Sequence, residues 1–112
     1  MSLVKVTNTG DIPEGGMLGV EAEGRKLLLA NVEGSIYAID AKCSHMGGDL
    51  TKGTLTKGVV KCPRHGAQYD VRTGRLVKDV GGMAKAINLG RGASGQTSYR
   101  VVVEGDEVKV DV

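Results

Sequence analysis

Phenylalanine and tryptophan are missing from this chain of 112 residues, and only three tyrosines, Tyr37, Tyr69 and Tyr99, supply aromatic bulk. A core must therefore be assembled from Val, Leu, Ile, Ala and Met. A domain of this size with so few large apolar groups gains from an internal staple such as a metal. A surplus of charge of either sign is missing as well. The formal net charge is +2 and the basic residues are dispersed, which argues against a nucleic-acid stripe or a membrane-binding face. No apolar run approaches the roughly 20 residues needed to cross a bilayer. Met1 to Asn8 lacks the apolar stretch of a secretory signal. These absences set the expectation of a single domain over 1–112, in the cytoplasm, with no nucleic-acid, membrane or nucleotide partner. Cysteine is limited to two residues and histidine to two. In a reducing compartment two cysteines are more often metal ligands or redox groups than a structural disulfide.

What remains is a series of short strands cut by glycine. Leu3 to Thr7 alternates apolar and polar residues, the period of a half-buried strand. Met17 to Ala22, Lys26 to Val32 and Ser35 to Ile39 follow, with turns expected at Glu23-Gly24-Arg25 and Glu33-Gly34. Further strands are expected at Val59 to Lys61, Gln68 to Val71 and Arg75 to Val77, with a turn at Thr73-Gly74. Tyr99 to Glu104 and Glu107 to Val112 read as a closing hairpin around Gly105-Asp106. Gly81 to Ser98 reads as a long loop, with one turn of helix expected over Met83 to Ile87. The fold class is all-β, an antiparallel sandwich or small barrel, with a subdomain over about 42–74 inserted into it.

All the cysteine and histidine fall in that insertion, as Cys43-Ser44-His45 and Cys62-Pro63-Arg64-His65, with sixteen residues between His45 and Cys62. Two thiolates and two imidazoles make a complete four-ligand set. Structural zinc accepts such a set tetrahedrally, and so does a two-iron cluster in which two histidines replace two cysteines on one iron. Zinc fingers commonly pair Cys with Cys and His with His. Here each loop supplies one of each, which suits a cluster lying between two loops. Zinc and a reactive thiol pair remain the alternatives on spacing alone.

Cys43-Ser44-His45-Met46-Gly47-Gly48 and Cys62-Pro63-Arg64-His65-Gly66-Ala67-Gln68-Tyr69-Asp70 resemble the two ligand boxes of the Rieske [2Fe-2S] family. The approach Ile36 to Lys42 and the hairpin Asp70 to Arg75 support the resemblance. It covers about residues 3 to 80 and resumes from about Tyr99. The resemblance implies that Cys43 and Cys62 bind an inner iron, and that His45 and His65 bind an outer iron through Nδ1. It further implies a tip carrying His45 and His65, flanked by Lys42 and Arg64, that faces a partner. Respiratory members carry a disulfide between the two loops, where this chain has Gly48 and Arg64. A serine that donates to a bridging sulfide in high-potential members is Ala67 here. Tyr69 matches the tyrosine that bonds a ligand cysteine sulfur in that class, and Val80 to Met83 lacks the proline of a third covering loop.

The resemblance therefore implies a soluble Rieske-type ferredoxin, of the kind found with bacterial oxygenases and in archaea. Its expected role is to carry single electrons between protein partners such as a reductase and an oxygenase, with no substrate turnover. Its potential is expected in the lower part of the roughly −150 to +300 mV Rieske range. A redox sensor or regulatory subunit is the second reading, and a structural zinc module the third. Gly90 to Gly95 spells G-x-G-x-x-G, but a dinucleotide site needs a helix opening there and an acidic residue about 20 positions on, within a βαβ unit. A strand is expected instead.

Overall fold

The computed structural model describes residues 3–42, 49–63, 66–78 and 95–112. Its eleven strands are β1 (Leu3–Asn8), β2 (Met17–Ala22), β3 (Arg25–Val32), β4 (Ser35–Asp40), β5 (Thr54–Thr56), β6 (Val59–Lys61), β7 (Gln68–Asp70), β8 (Leu76–Lys78), β9 (Ser98–Tyr99), β10 (Val101–Glu104) and β11 (Glu107–Asp111). Two single 3-10 turns, Thr9–Asp11 and Leu50–Lys52, complete the described elements. The strands form three sheets with the orders β1-β11-β10, β2-β3-β4-β9 and β5-β6-β7-β8. Every pairing is antiparallel. No helix among the described residues is long and apolar enough to cross a membrane.

The middle sheet explains the composition of β3. Successive side chains of a strand point to opposite faces, and here both faces are covered. Leu27 and Leu29 pack with Ala38, Val108 and Val110 in one core. Leu28, Ala30 and Val32 pack with Ile39, Val60, Tyr69 and Val71 in the other. An unbroken apolar run is what such a strand requires. Each fully buried leucine contributes roughly 1.5–3 kcal/mol. The half-exposed Lys5–Glu107 ion pair at 3.4 Å contributes about 0–1 kcal/mol. The doubly buried strand therefore dominates over surface charge.

Hairpin turns set the registers. Glu23-Gly24, Glu33-Gly34 and Lys57-Gly58 each place two residues at positive φ, the conformation whose twist matches antiparallel strands. Arg25–Val32 then pairs residue by residue with Met17–Ala22 and Ser35–Asp40.

Two expectations need correction. β5 with its Lys57-Gly58 turn was not foreseen. The stretch expected as one strand from Tyr99 to Glu104 is broken at Arg100: Ser98 and Tyr99 pair with β4, while Val101 to Glu104 pair with β11. The chain crosses there from the middle sheet to the outer one, so Ser98 is strand rather than loop. The helical turn expected over 83–87 lies outside the described residues.

Candidate functional site

The first ligand loop, 43–48, lies outside the described residues, but its two ends are well defined. β4 delivers the chain to Ala41, whose amide donates to the Lys26 carbonyl at 3.0 Å. Lys42 and Asp49 form an isolated antiparallel bridge, and the Leu50 amide donates to the Ala41 carbonyl at 2.8 Å. Asp49 then caps the 3-10 turn, its Oδ1 accepting from the Thr51 amide at 2.9 Å and the Thr51 hydroxyl at 2.6 Å. Those donors, the hydroxyl first, hold its carboxyl below the ordinary carboxylate range. A carboxylate at that position satisfies otherwise orphaned amides and fastens the loop where it rejoins the fold.

The second loop is fastened in the same way. β6 ends at Lys61, the Cys62 amide donates to the Ala67 carbonyl at 2.7 Å, and the Gly66 amide donates to the Cys62 carbonyl at 3.1 Å. Cys62 is a free thiol and only 2% exposed. It shares one hydrophobic cluster with Ala67 and Tyr69 from its own hairpin, and with Ala41 and Leu50 from the two ends of the first loop. The roots of both loops therefore meet on one buried floor, with a sulfur set into it. A thiolate donor in that position, with no disulfide, fits a thiolate-bound metal centre.

Of the residues singled out in the sequence, Cys62, Ala67, Tyr69 and Lys42 are described. Ala67 and Tyr69 are completely buried in the same core as Cys62, and Lys42 is exposed. Cys43, His45, Gly48, Arg64 and His65 lie outside the described residues, as do Gly90 to Ser94 of the glycine motif. Lys42 lines a groove of about 550 Å3 with Arg25, Lys26, Asp40 and Asp49.

Sequence reasoning missed the braces around the loops. Tyr99 is one of these braces. It is half-buried, and its hydroxyl donates to Asp40 Oδ1 at 2.6 Å while accepting from Arg25 Nη1 at 3.1 Å. Desolvation, and then the bond to Asp40, push its pKa up. Gln96, in the region expected as loop, is 9% exposed. Its side-chain nitrogen lies 3.0 Å from the Asp40 carbonyl and 2.6 Å from the Lys42 carbonyl. Both bonds span more than fifty positions, so no local pattern marks them.

A family model described as the Rieske [2Fe-2S] domain matches residues 2–88. The ferredoxin component of a naphthalene 1,2-dioxygenase system from Pseudomonas aeruginosa is 36% identical over 102 residues, covering 91% of this chain and 88% of that one. Among solved structures, the ferredoxin of carbazole 1,9a-dioxygenase from Nocardioides aromaticivorans IC177 superposes with a TM-score of 0.82. It is 25% identical, covering 98% of this chain and 97% of that one. A chain from a complex of reduced oxygenase and oxidized ferredoxin in carbazole 1,9a-dioxygenase superposes with a TM-score of 0.80. It is 27% identical, covering 96% of this chain and 91% of that one.

Proposed function

The chain belongs to the Rieske [2Fe-2S] domain family, and on that premise we propose that it is a one-electron carrier between protein partners, a reductase and an oxygenase, with no substrate turnover of its own. The observation that carries this reading is the shared buried floor, where Cys62 and the ends of the other ligand loop converge. The relatives support it further: a curated ferredoxin component of a dioxygenase system and a ferredoxin–oxygenase complex. Cys43 and Cys62 are the thiolate ligands of the inner iron in this reading, and His45 and His65 the imidazole ligands of the outer iron. The segment from about 42 to 74 is the cluster-binding unit within one domain over 1–112. The reading places the protein in the cytoplasm, where both thiols stay available as ligands.

The cluster, when bound, supplies a reversible one-electron site. The residues around it set how readily it accepts that electron. Two neutral imidazoles in place of two thiolates leave the oxidised site neutral rather than dianionic, which favours reduction. Donors to the sulfurs favour it further, because sulfur charge grows on reduction. In this reading Tyr69 supplies such a donor, while Ala67 has no such group. Both side chains are wholly buried with Cys62 and keep water from its sulfur. A potential in the lower part of the range of roughly −150 to +300 mV is therefore expected. Ala67→Ser is expected to raise it by about 40–80 mV, the equivalent of one added hydrogen bond of about 1–2 kcal/mol. Protein-film voltammetry reads both values, and an unchanged potential in the serine variant would show that the hydroxyl does not reach a sulfide.

The histidine ligands give a pH signature. Reduction adds negative charge beside each imidazole and raises its pKa. Between the oxidised and the reduced pKa, an electron is therefore taken up together with a proton. The potential should fall as pH rises through the alkaline range, by up to about 59 mV per unit for each proton. A potential flat with pH would remove the imidazoles from the centre. Rapid-mixing kinetics test the function itself. A carrier exchanges electrons quickly and reversibly with a reductase and an oxygenase of this class, whereas a sensor has no need to.

A further inference from the structure

We propose that Gln96 is a positioning residue of the iron–sulfur site, locking the start of the first ligand loop to the β6–β7 hairpin of the second through the backbone without touching the cluster. The inference rests on the reading of Cys43 and Cys62 as ligands.

Three contacts carry it. The Gln96 side-chain nitrogen lies within hydrogen-bond distance of two acceptors, the Asp40 carbonyl at 3.0 Å and the Lys42 carbonyl at 2.6 Å. Both partners are carbonyl oxygens, so the NH2 end of the carboxamide must face them, and its two hydrogens match the two acceptors. The Gln96 amide donates to the Gly74 carbonyl at 2.7 Å. The Gln96 carbonyl lies so close over Gly74 that a Cβ there would overlap it.

Covalent connectivity turns these contacts into a clasp. The Lys42 carbonyl belongs to the planar peptide group that leads into Cys43, so holding that oxygen fixes the departure of the first ligand. On the other side, the Gly74 amide donates to the Asp70 carbonyl at 2.7 Å, closing the turn after β7. β7 in turn pairs with β6, which runs directly into Cys62. Gln96 thus joins the peptide ahead of one thiolate to the hairpin that bears the other. The residue is nine-tenths buried, so water does not substitute readily for its amide, and removing it would leave two carbonyls without their donor.

The clasp separates from ordinary structural support by comparison with a distant amide. Asn31 also bridges main chain, donating to the Ile12 carbonyl at 2.8 Å and accepting from the Gly34 amide at 3.0 Å, but at another turn of the fold. The test compares holoproteins carrying Gln96→Met, which keeps the length and loses both donors, and Asn31→Ala. Gln96→Met is expected to lose iron to a chelator about tenfold faster than the parent, with a shifted reduction potential and altered g-values in the reduced state. Asn31→Ala is expected to lower the thermal midpoint and leave those three quantities at parental values. The proposal is overturned if both variants lose only thermal stability and keep parental iron release, potential and spectrum. Should Gln96→Met not fold, Gln96→Glu answers instead. An ionised carboxylate there opposes two carbonyls, whereas the protonated acid restores one donor. Iron release relative to the parent should therefore quicken as pH rises above the ordinary carboxylate range, and a ratio flat with pH overturns the proposal. A parent protein without two irons and a reduced-state signal would count against the ligand reading, not against the clasp alone.

Discussion

Cys62→Ala is expected to abolish the metal centre while leaving half of the molecule standing. The side chain is small, so the packing loss is modest: about 1 kcal/mol for removal of a group the size of a methylene or two. The chemical loss is complete if Cys62 is the thiolate proposed for the inner iron, because alanine offers no donor. The two cores make the outcome readable. Cys62 belongs to the core shared with Ala67, Tyr69 and Leu50. Leu27, Leu29, Val108 and Val110 form the other core, on the far face of the middle sheet. The variant should show no visible absorption bands and almost no bound iron. Its far-ultraviolet circular dichroism should stay β-rich, with a lowered thermal midpoint. A variant that retained iron and colour would remove Cys62 from the ligand set.

Among the described glycines, Gly74→Ala is expected to produce the largest loss of stability, because positive φ and a close backbone approach coincide there. Gly74 adopts φ +78, and an added Cβ would overlap the backbone carbonyl of Gln96. Left-handed backbone costs an L-residue about 1–2 kcal/mol, and forced overpacking adds roughly 1–3 kcal/mol. Together they give about 3 kcal/mol, a fall of roughly 10–20 °C in thermal midpoint for a domain of this size. Gly34 provides the control. It has φ +89 but nothing within 4 Å of an added Cβ, so Gly34→Ala bears only the backbone cost of about 1–2 kcal/mol. The difference between the two variants measures the approach of the Gln96 backbone. Equal losses in thermal melts would mean that this approach contributes nothing.

The physics of the strands made much of the fold legible. Met17–Ala22 and the apolar run ending at Val32 declare themselves because alternation and double burial both leave marks on composition. Thr54–Thr56 leaves no such mark. It has three residues with one apolar side chain between two threonines, too short for a period to register. The break at Arg100 was hidden for a different reason: residues on either side are equally strand-like, and only the partner sheet changes. At the site, the paired Cys-x-His and Cys-x-x-His spacing was visible because four scarce residues stood in two tight groups. Tyr69 and Ala67 were legible as site residues only through resemblance; what the fold adds is that both are buried in the same core as Cys62. The side-chain contacts of Gln96 and the Arg25–Tyr99–Asp40 chain were invisible because they join residues more than fifty positions apart.

The central claim is that two cysteines and two histidines hold one [2Fe-2S] cluster. Electron paramagnetic resonance of the dithionite-reduced protein, with electron spin-echo analysis of nitrogen coupling on the same sample, tests it most directly. The expected result is a rhombic signal of low average g with two strongly coupled nitrogens, in protein containing two irons per chain. A colourless protein with one zinc per chain, or an iron–sulfur signal without nitrogen coupling, would contradict it.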